Sequence, residues 1–248
     1  MVAARRRCRA TSIFRQLVPF GSVGLGLLTF CAAYGNAQAH EFTTYAALTS
    51  DYVNRGVSNS DGHAAAQLGF DVSTEVGLFV GVWASTTDIT TGGRHRPGEV
   101  DYYIGYAQHF DNDWSASVSI NRYTYPAATG DVDYNYTELA TVISVNDRLW
   151  FEINYTDSFY GHGEPAYNLE VLASWPLPAS LSLAAGVGYF DVSKFAGSAY
   201  TYWQIGVSRP LGRVIADLRY HDTSNVPRLI ASADLADARL VLTFSVAF

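Results

Sequence analysis

Six histidines, His40, His63, His95, His109, His162 and His221, are the first residues to weigh for metal or acid–base chemistry. No two stand in a His-x-His or His-x-x-x-His relation, the spacings that put imidazoles on one face of a strand or helix. His63, His95 and His162 fall in separate loop-like segments, so solvated side chains are expected and no metal or cofactor site is assigned. Both cysteines, Cys8 and Cys31, lie near the amino terminus, and the acidic stretches around Asp61, Asp131, Asp133, Asp222 and Asp234 lack an EF-hand pattern. For hydrolysis, His221 is the one histidine expected on a strand near a long connection, and no Gly-x-Ser-x-Gly elbow accompanies it. It shares strand parity with Asp217 and Arg219, so no catalytic residue is assigned and the chain is read as a non-enzyme. Asp51 and Arg55 stand together at the outer end of the first strand, either as a constriction or ligand contact or, preferably, as an internal ion pair ordering the first loop.

The elements that would position these groups are strands. Leu68, Phe70 and Val72 alternate with Gln67, Gly69, Asp71 and Ser73; Trp114, Ala116, Val118 and Ile120 alternate with serines and Asn121; Phe151, Ile153 and Tyr155 alternate with Glu152 and Asn154. Period two with one apolar face is a strand signal. About twelve such segments follow one another: 42–54, 65–75, 78–87, 99–110, 114–124, 134–145, 149–158, 167–175, 181–191, 200–208, 214–222 and 238–248. Short turns near 76–77, 111–113, 146–148, 176–180 and 209–213 alternate with longer connections near 55–64, 88–98, 125–133, 159–166, 192–199 and 223–237. The seven prolines beyond residue 40 all fall in connections.

Composition sets the class. Charged residues are 16% of the 248, against about 25% in a usual soluble domain, and aromatics are 14%. Disorder, coiled coil and a disulfide scaffold are excluded. No run of ~20 apolar residues follows residue 40, which argues against helical membrane spans. Residues 1–39 carry five arginines and no acid, then an apolar run from Leu17 to Ala33, then Ala37-Gln38-Ala39; they are expected to be a cleaved secretory signal peptide. Residues 40–248 then bear a net charge of −12, which speaks against a nucleic-acid partner.

An all-β, antiparallel up-and-down transmembrane barrel over residues 40–248 accounts for the even strand number and the alternation of short and long connections. A soluble sandwich or barrel shares the period but points its apolar face inward. Two aromatic groups favour the membrane. Phe110, Trp114, Trp150, Phe151 and Trp175 lie near short turns, and Tyr52, Tyr102, Tyr134, Tyr136, Tyr155, Tyr189, Tyr200 and Tyr202 lie toward long loops, as two interfacial belts. The chain ends in alternating apolar residues, including Phe244, Val246 and Phe248, expected to act as the signal read by barrel-insertion machinery.

The segment Ser50-Asp51-Tyr52-Val53-Asn54-Arg55-Gly56-Val57-Ser58-Asn59-Ser60-Asp61-Gly62 resembles the opening motif of the proteobacterial TorF family of porins. Gly81-Val82-Trp83-Ala84-Ser85, Glu99-Val100-Asp101-Tyr102-Tyr103, Tyr136-Thr137-Glu138-Leu139 and Gly188-Tyr189-Phe190-Asp191 are similar to later segments of that family. The resemblance implies an outer-membrane barrel of a Gram-negative bacterium and carries over no substrate or catalytic residue.

Together these readings point to a narrow channel for passive diffusion of small solutes, in contact with outer-membrane lipid and, by analogy, monomeric. The alternatives are a non-conducting barrel acting as adhesin, receptor or structural protein, and, behind it, an outer-membrane lipid hydrolase. Strand parity assigns Asp51, Arg55, Asp71, Glu75, Asp101, Glu138, Glu152, Glu170, Asp217 and Arg219 to the lumen, an acidic balance expected to favour cations or neutral solutes. Gly69, Gly81, Gly105, Gly186, Gly188 and Gly206 are expected to leave room there, with Trp83, Tyr103 and Trp150 narrowing it.

Overall fold

The computed structural model of this chain describes residues 40–91, 94–110, 113–126, 128 and 133–248. The expected signal peptide lies outside the described residues. Twelve strands form the barrel: β1 (His40–Thr49), β2 (Ala65–Thr74), β3 (Leu78–Thr91), β4 (Arg94–Phe110), β5 (Trp114–Thr124), β6 (Tyr136–Val145), β7 (Leu149–Thr156), β8 (Ala166–Leu177), β9 (Leu181–Asp191), β10 (Tyr200–Leu211), β11 (Val214–Ser224) and β12 (Arg239–Ala247). Each pairs antiparallel with its sequence neighbour, and β12 returns to β1, with Tyr45 opposite Ala247 and Thr49 opposite Thr243. Beyond β12, the Phe248 N–H donates to the Thr44 carbonyl at 2.9 Å, so the ladder runs to the last residue. The barrel sheet closes on itself and leaves no open edge of its own.

The side that the apolar residues face separates the membrane barrel from the soluble one. Leu68 and Leu240 are 61% and 65% exposed, and Phe42, Ile104, Ile120, Ile153, Val187, Ile205 and Leu218 are exposed with them. Alternate positions along the barrel strands hold Asp71, Asp101, Glu138, Asn154, Asn168, Gln204, Asp217 and Arg219, all buried inside. The hydrophobic surface therefore faces outward, where hydrocarbon must cover it, and the backbone bonds are satisfied around the closed ring.

Several elements depart from the sequence expectations. The first strand stops at Thr49, and residues 50–60 turn into the barrel. Within the segment 88–98, expected as a loop, residues 88–91 continue β3 and residues 94–98 open β4, with an irregularity between Thr86 and Ile89. Pro97, Pro176 and Pro210 consequently sit inside strands. Pro97 lies at that irregularity, and the other two lie in the last pairs beside short turns, where a missing N–H is tolerated. Of the aromatic belts, Tyr102, Tyr155, Tyr189, Phe110, Trp114, Phe151 and Trp175 do face outward. Tyr52, Tyr134, Tyr136, Tyr200, Tyr202 and Trp150 are instead buried inside.

Candidate functional site: the barrel interior

The first loop supplies the central feature. Val53–Asn54 and Val57–Ser58 pair as a minimal hairpin inside the barrel mouth. Its two turn residues, Arg55 and Gly56, have φ of 48° and 79°, the two left-handed positions of a type I′ turn. Glycine is required at the second for space as well. A Cβ there would stand 2.4 Å from Thr223 Cγ2 and 2.7 Å from Tyr202 Cβ. The Arg-Gly pair thus drives the hairpin tip against the β10–β11 wall.

The tip carries Arg55 to the opposite side of the interior. Its guanidinium donates to both Glu138 oxygens, at 2.8 and 2.7 Å, and lies 4.5 Å from the centre of the Phe190 ring. The Tyr123 hydroxyl donates to the same Glu138 carboxylate at 3.1 Å. Asp51, expected as the partner of Arg55, pairs instead with Arg239 of β12 at 2.6 Å and accepts hydrogen bonds from the Ser58 and Ser60 hydroxyls. Both ends of the loop are therefore bonded to the wall by charge. Rings close around it. Tyr123 and Tyr136 stack at 4.5 Å, Phe159 meets Tyr136 and Phe190 edge-on, and Arg96 lies over Tyr134 at 4.4 Å and Tyr160 at 4.8 Å.

Below the hairpin the wall is a polar network. The Tyr202 hydroxyl donates to Asn168 and Glu170, Gln204 donates to Glu170, and Arg219 donates to Gln204 and, through two nitrogens, to Asp217. Tyr103 donates to Asp71. Glu152 stands directly across from Glu170 on adjacent strands and within electrostatic reach of Arg55 and Glu138. Neither oxygen of buried Asp101 has a protein hydrogen-bond partner, and its charged neighbours are Glu99 and Glu138. Glu99, Asp101, Glu138, Glu152 and Glu170 thus form one acidic stripe across β4 to β8.

Of the lumen set read from sequence, Glu75 does not lie inside. It is exposed in the turn after β2, because parity holds only while the strand continues. Glu99, Arg96 and Arg239 join the interior in its place. Eight carboxylates then face four guanidinium groups, a formal balance of −4 rather than −6. The interior glycines are not open space. A Cβ on Gly188 would lie 2.0 Å from the Tyr202 ring and one on Gly81 2.4 Å from Tyr103, since each opposes that tyrosine across the ladder. His221 is buried inside, opposite Gln204 and Arg239, away from the lipid-facing surface where a lipid hydrolase acts.

A closed, twelve-stranded antiparallel barrel with an apolar exterior and a charged interior is the architecture of outer-membrane channels. The solved NanC porin shares it, with a TM-score of 0.51 at 11% identity over 84% of this chain and 99% of that one. The KdgM porin gives 0.49 at 8% identity over 84% of this chain and 98% of that one. An outer membrane channel from Pseudomonas putida F1 gives 0.49 at 9% identity over 86% and 96%. The likeness to the NanC porin is one of fold. Residues 33–248 match the family described as "Bacterial protein of unknown function (Gcw_chp)", and the chain belongs to it. No curated protein matches the sequence significantly.

Proposed function

We propose that this protein is an outer-membrane channel for passive diffusion of small solutes, with a mouth constricted by its inward-folded first loop and a preference for cations or neutral solutes. The observation that carries the reading is the inversion of polarity: apolar residues outside and an acidic, hydrogen-bonding wall inside. Export with loss of residues 1–39, insertion through a machinery that reads Phe244, Val246 and Phe248, and a monomeric state belong to the same proposal. So does the finer likeness to the TorF porins. The Ser50–Gly62 motif that carries it is largely the segment that folds into the mouth.

One observation favours a second reading, a non-conducting barrel whose outer loops bind a partner. Tyr123, Glu138 and Arg55 at the mouth are only 1–3% exposed, so the hairpin shuts water out where it meets the wall. Single-channel recording of refolded protein in planar bilayers separates the two. Discrete conductance steps support the channel, with brief events if the hairpin gates it. Silence at high protein loading, from a sample that resists SDS until boiled, overturns it.

A further inference from the structure

The outer rim brings Asp88 to two side chains that the sequence already places side by side. Asp61 and His63 belong to the first loop, and Asp88 to the outer extension of β3. Their ligand atoms, two carboxylate oxygens and one imidazole nitrogen, all lie within 4.8 Å of one another. We propose that Asp61, His63 and Asp88 form a binding site for a divalent transition-metal ion at the channel mouth, with His95 holding the Asp88 carboxylate in place.

Four features of the geometry support the site. The backbone beneath it is already fixed: the Asp88 N–H donates to the Asn59 carbonyl at 2.8 Å, and the His63 N–H donates to the Ser60 carbonyl at 2.9 Å. The Ser60 hydroxyl, which reaches Asp51, lies 2.6 Å from the His63 carbonyl. Only side-chain rotation then separates the three groups from coordination. Metal–ligand bonds of ~2.1 Å put tetrahedral ligands about 3.4 Å apart, and Asp61 and His63 are exposed and free to turn. Second, the His95 Nε2 lies 2.7 Å from Asp88 Oδ1, leaving the other oxygen for an ion. A ligating carboxylate held by an outer hydrogen bond is the usual arrangement around bound metals. Third, two carboxylates neutralise a dication. Fourth, the imidazole selects the ion. Calcium and magnesium take oxygen ligands, whereas nitrogen with carboxylate suits zinc and its neighbours. Three protein ligands leave at least one position for water or an incoming donor. An ion there would also tie the first loop to the β3–β4 hairpin.

The test is equilibrium dialysis of Zn²⁺ against the refolded full chain in detergent, with excess Ca²⁺ present. One zinc bound per chain is expected. His63→Ala and Asp88→Asn should each weaken it by more than tenfold, His95→Ala by about tenfold, and His162→Ala not at all. His63 and His162 lie in outer loops and Asp88 and His95 at the outer ends of β3 and β4, and resistance of each variant to unheated SDS shows that the barrel has formed. Cobalt substituted for zinc should give d–d bands of a nitrogen–oxygen site, lost in His63→Ala. Displacement of zinc by Ca²⁺, or zinc binding unchanged in folded His63→Ala and Asp88→Asn, would show diffuse acidic association and overturn the site.

Discussion

Replacing Arg55 by alanine should open the mouth. The Arg55–Glu138 pair is bidentate, and the two side chains are 4% and 2% exposed. Removing one member of such a pair costs about 3–5 kcal/mol, because the remaining charge stays buried. Glu138 keeps the Tyr123 hydroxyl at 3.1 Å, and the loop keeps its Asp51–Arg239 anchor, so the lower end of that range applies. About 3 kcal/mol corresponds to roughly a hundredfold shift in the equilibrium between hairpin in and hairpin out. The readout is chemical. Residues 40–248 contain no cysteine, so Val57→Cys, a buried hairpin position, places a single thiol that a bulky maleimide reaches only when the hairpin leaves. Labelling should be roughly a hundredfold faster in the Arg55→Ala background, with longer or larger conductance events. Arg55→Met combined with Glu138→Met should recover part of the protection, since no charge is then orphaned. Labelling no faster in Arg55→Ala than in the parent would refute the idea that this pair holds the mouth shut.

Three other outcomes follow from the geometry. Gly188→Ala should lower the midpoint of denaturant unfolding by the equivalent of about 1–3 kcal/mol, because its Cβ would meet the Tyr202 ring at 2.0 Å; Gly69→Ala, whose nearest neighbour stands at 3.4 Å, should change it far less, and equal effects would refute the packing account. The reversal potential under a KCl gradient should show cation preference that weakens as salt shortens the reach of the charges, from a Debye length of about 10 Å at 0.1 M to about 3 Å at 1 M; chloride preference would refute the electrostatic reasoning. Deleting Phe248 removes two backbone bonds to Thr44 and a ring that is 72% exposed, so outer-membrane levels should fall well below what its burial explains; normal levels would remove the assembly role.

The strands were legible because a period of two is rigid. A one-residue slip would turn every side chain to the wrong face, so alternation gives both the element and its orientation. That is why Asp71, Asp101, Glu138, Glu170 and Asp217 could be placed inside from sequence. Glu99 was equally readable, two residues before Asp101 on the same parity. Glu75 was misplaced by carrying that parity one residue past the end of its strand. The contacts of the loop were not legible. Arg55 meets Glu138 83 residues away, and Arg239 meets Asp51 across 188. No local pattern encodes a partner chosen by the closing of a ring. Tyr103 was read as lumenal, but Tyr202 was placed in an outward belt, and that each of the two fills the space beside a glycine is revealed only by the register of the neighbouring strand.

The proposed constriction and the proposed cation preference have a common origin in this interior. Inside the twelve strands, Tyr103, Tyr202 and Trp83 take up the space beside Gly81, Gly188 and Gly69, and Trp150 is buried with them. The same wall holds eight carboxylates with only four guanidinium groups to answer them, and Asp101 has none of its oxygens bonded to protein. Ionised carboxylates shut away from water and counter-charge would cost several kcal/mol each. Wherever these acids stay ionised, water or a passing cation must supply what the wall lacks. Arg55 is the one of the four cations carried by the hairpin rather than by a barrel strand. When the hairpin leaves, the wall loses a positive charge at the moment the mouth opens. The interior becomes more acidic in its open state than in its closed one, so the path that opens should attract cations most strongly while it is open.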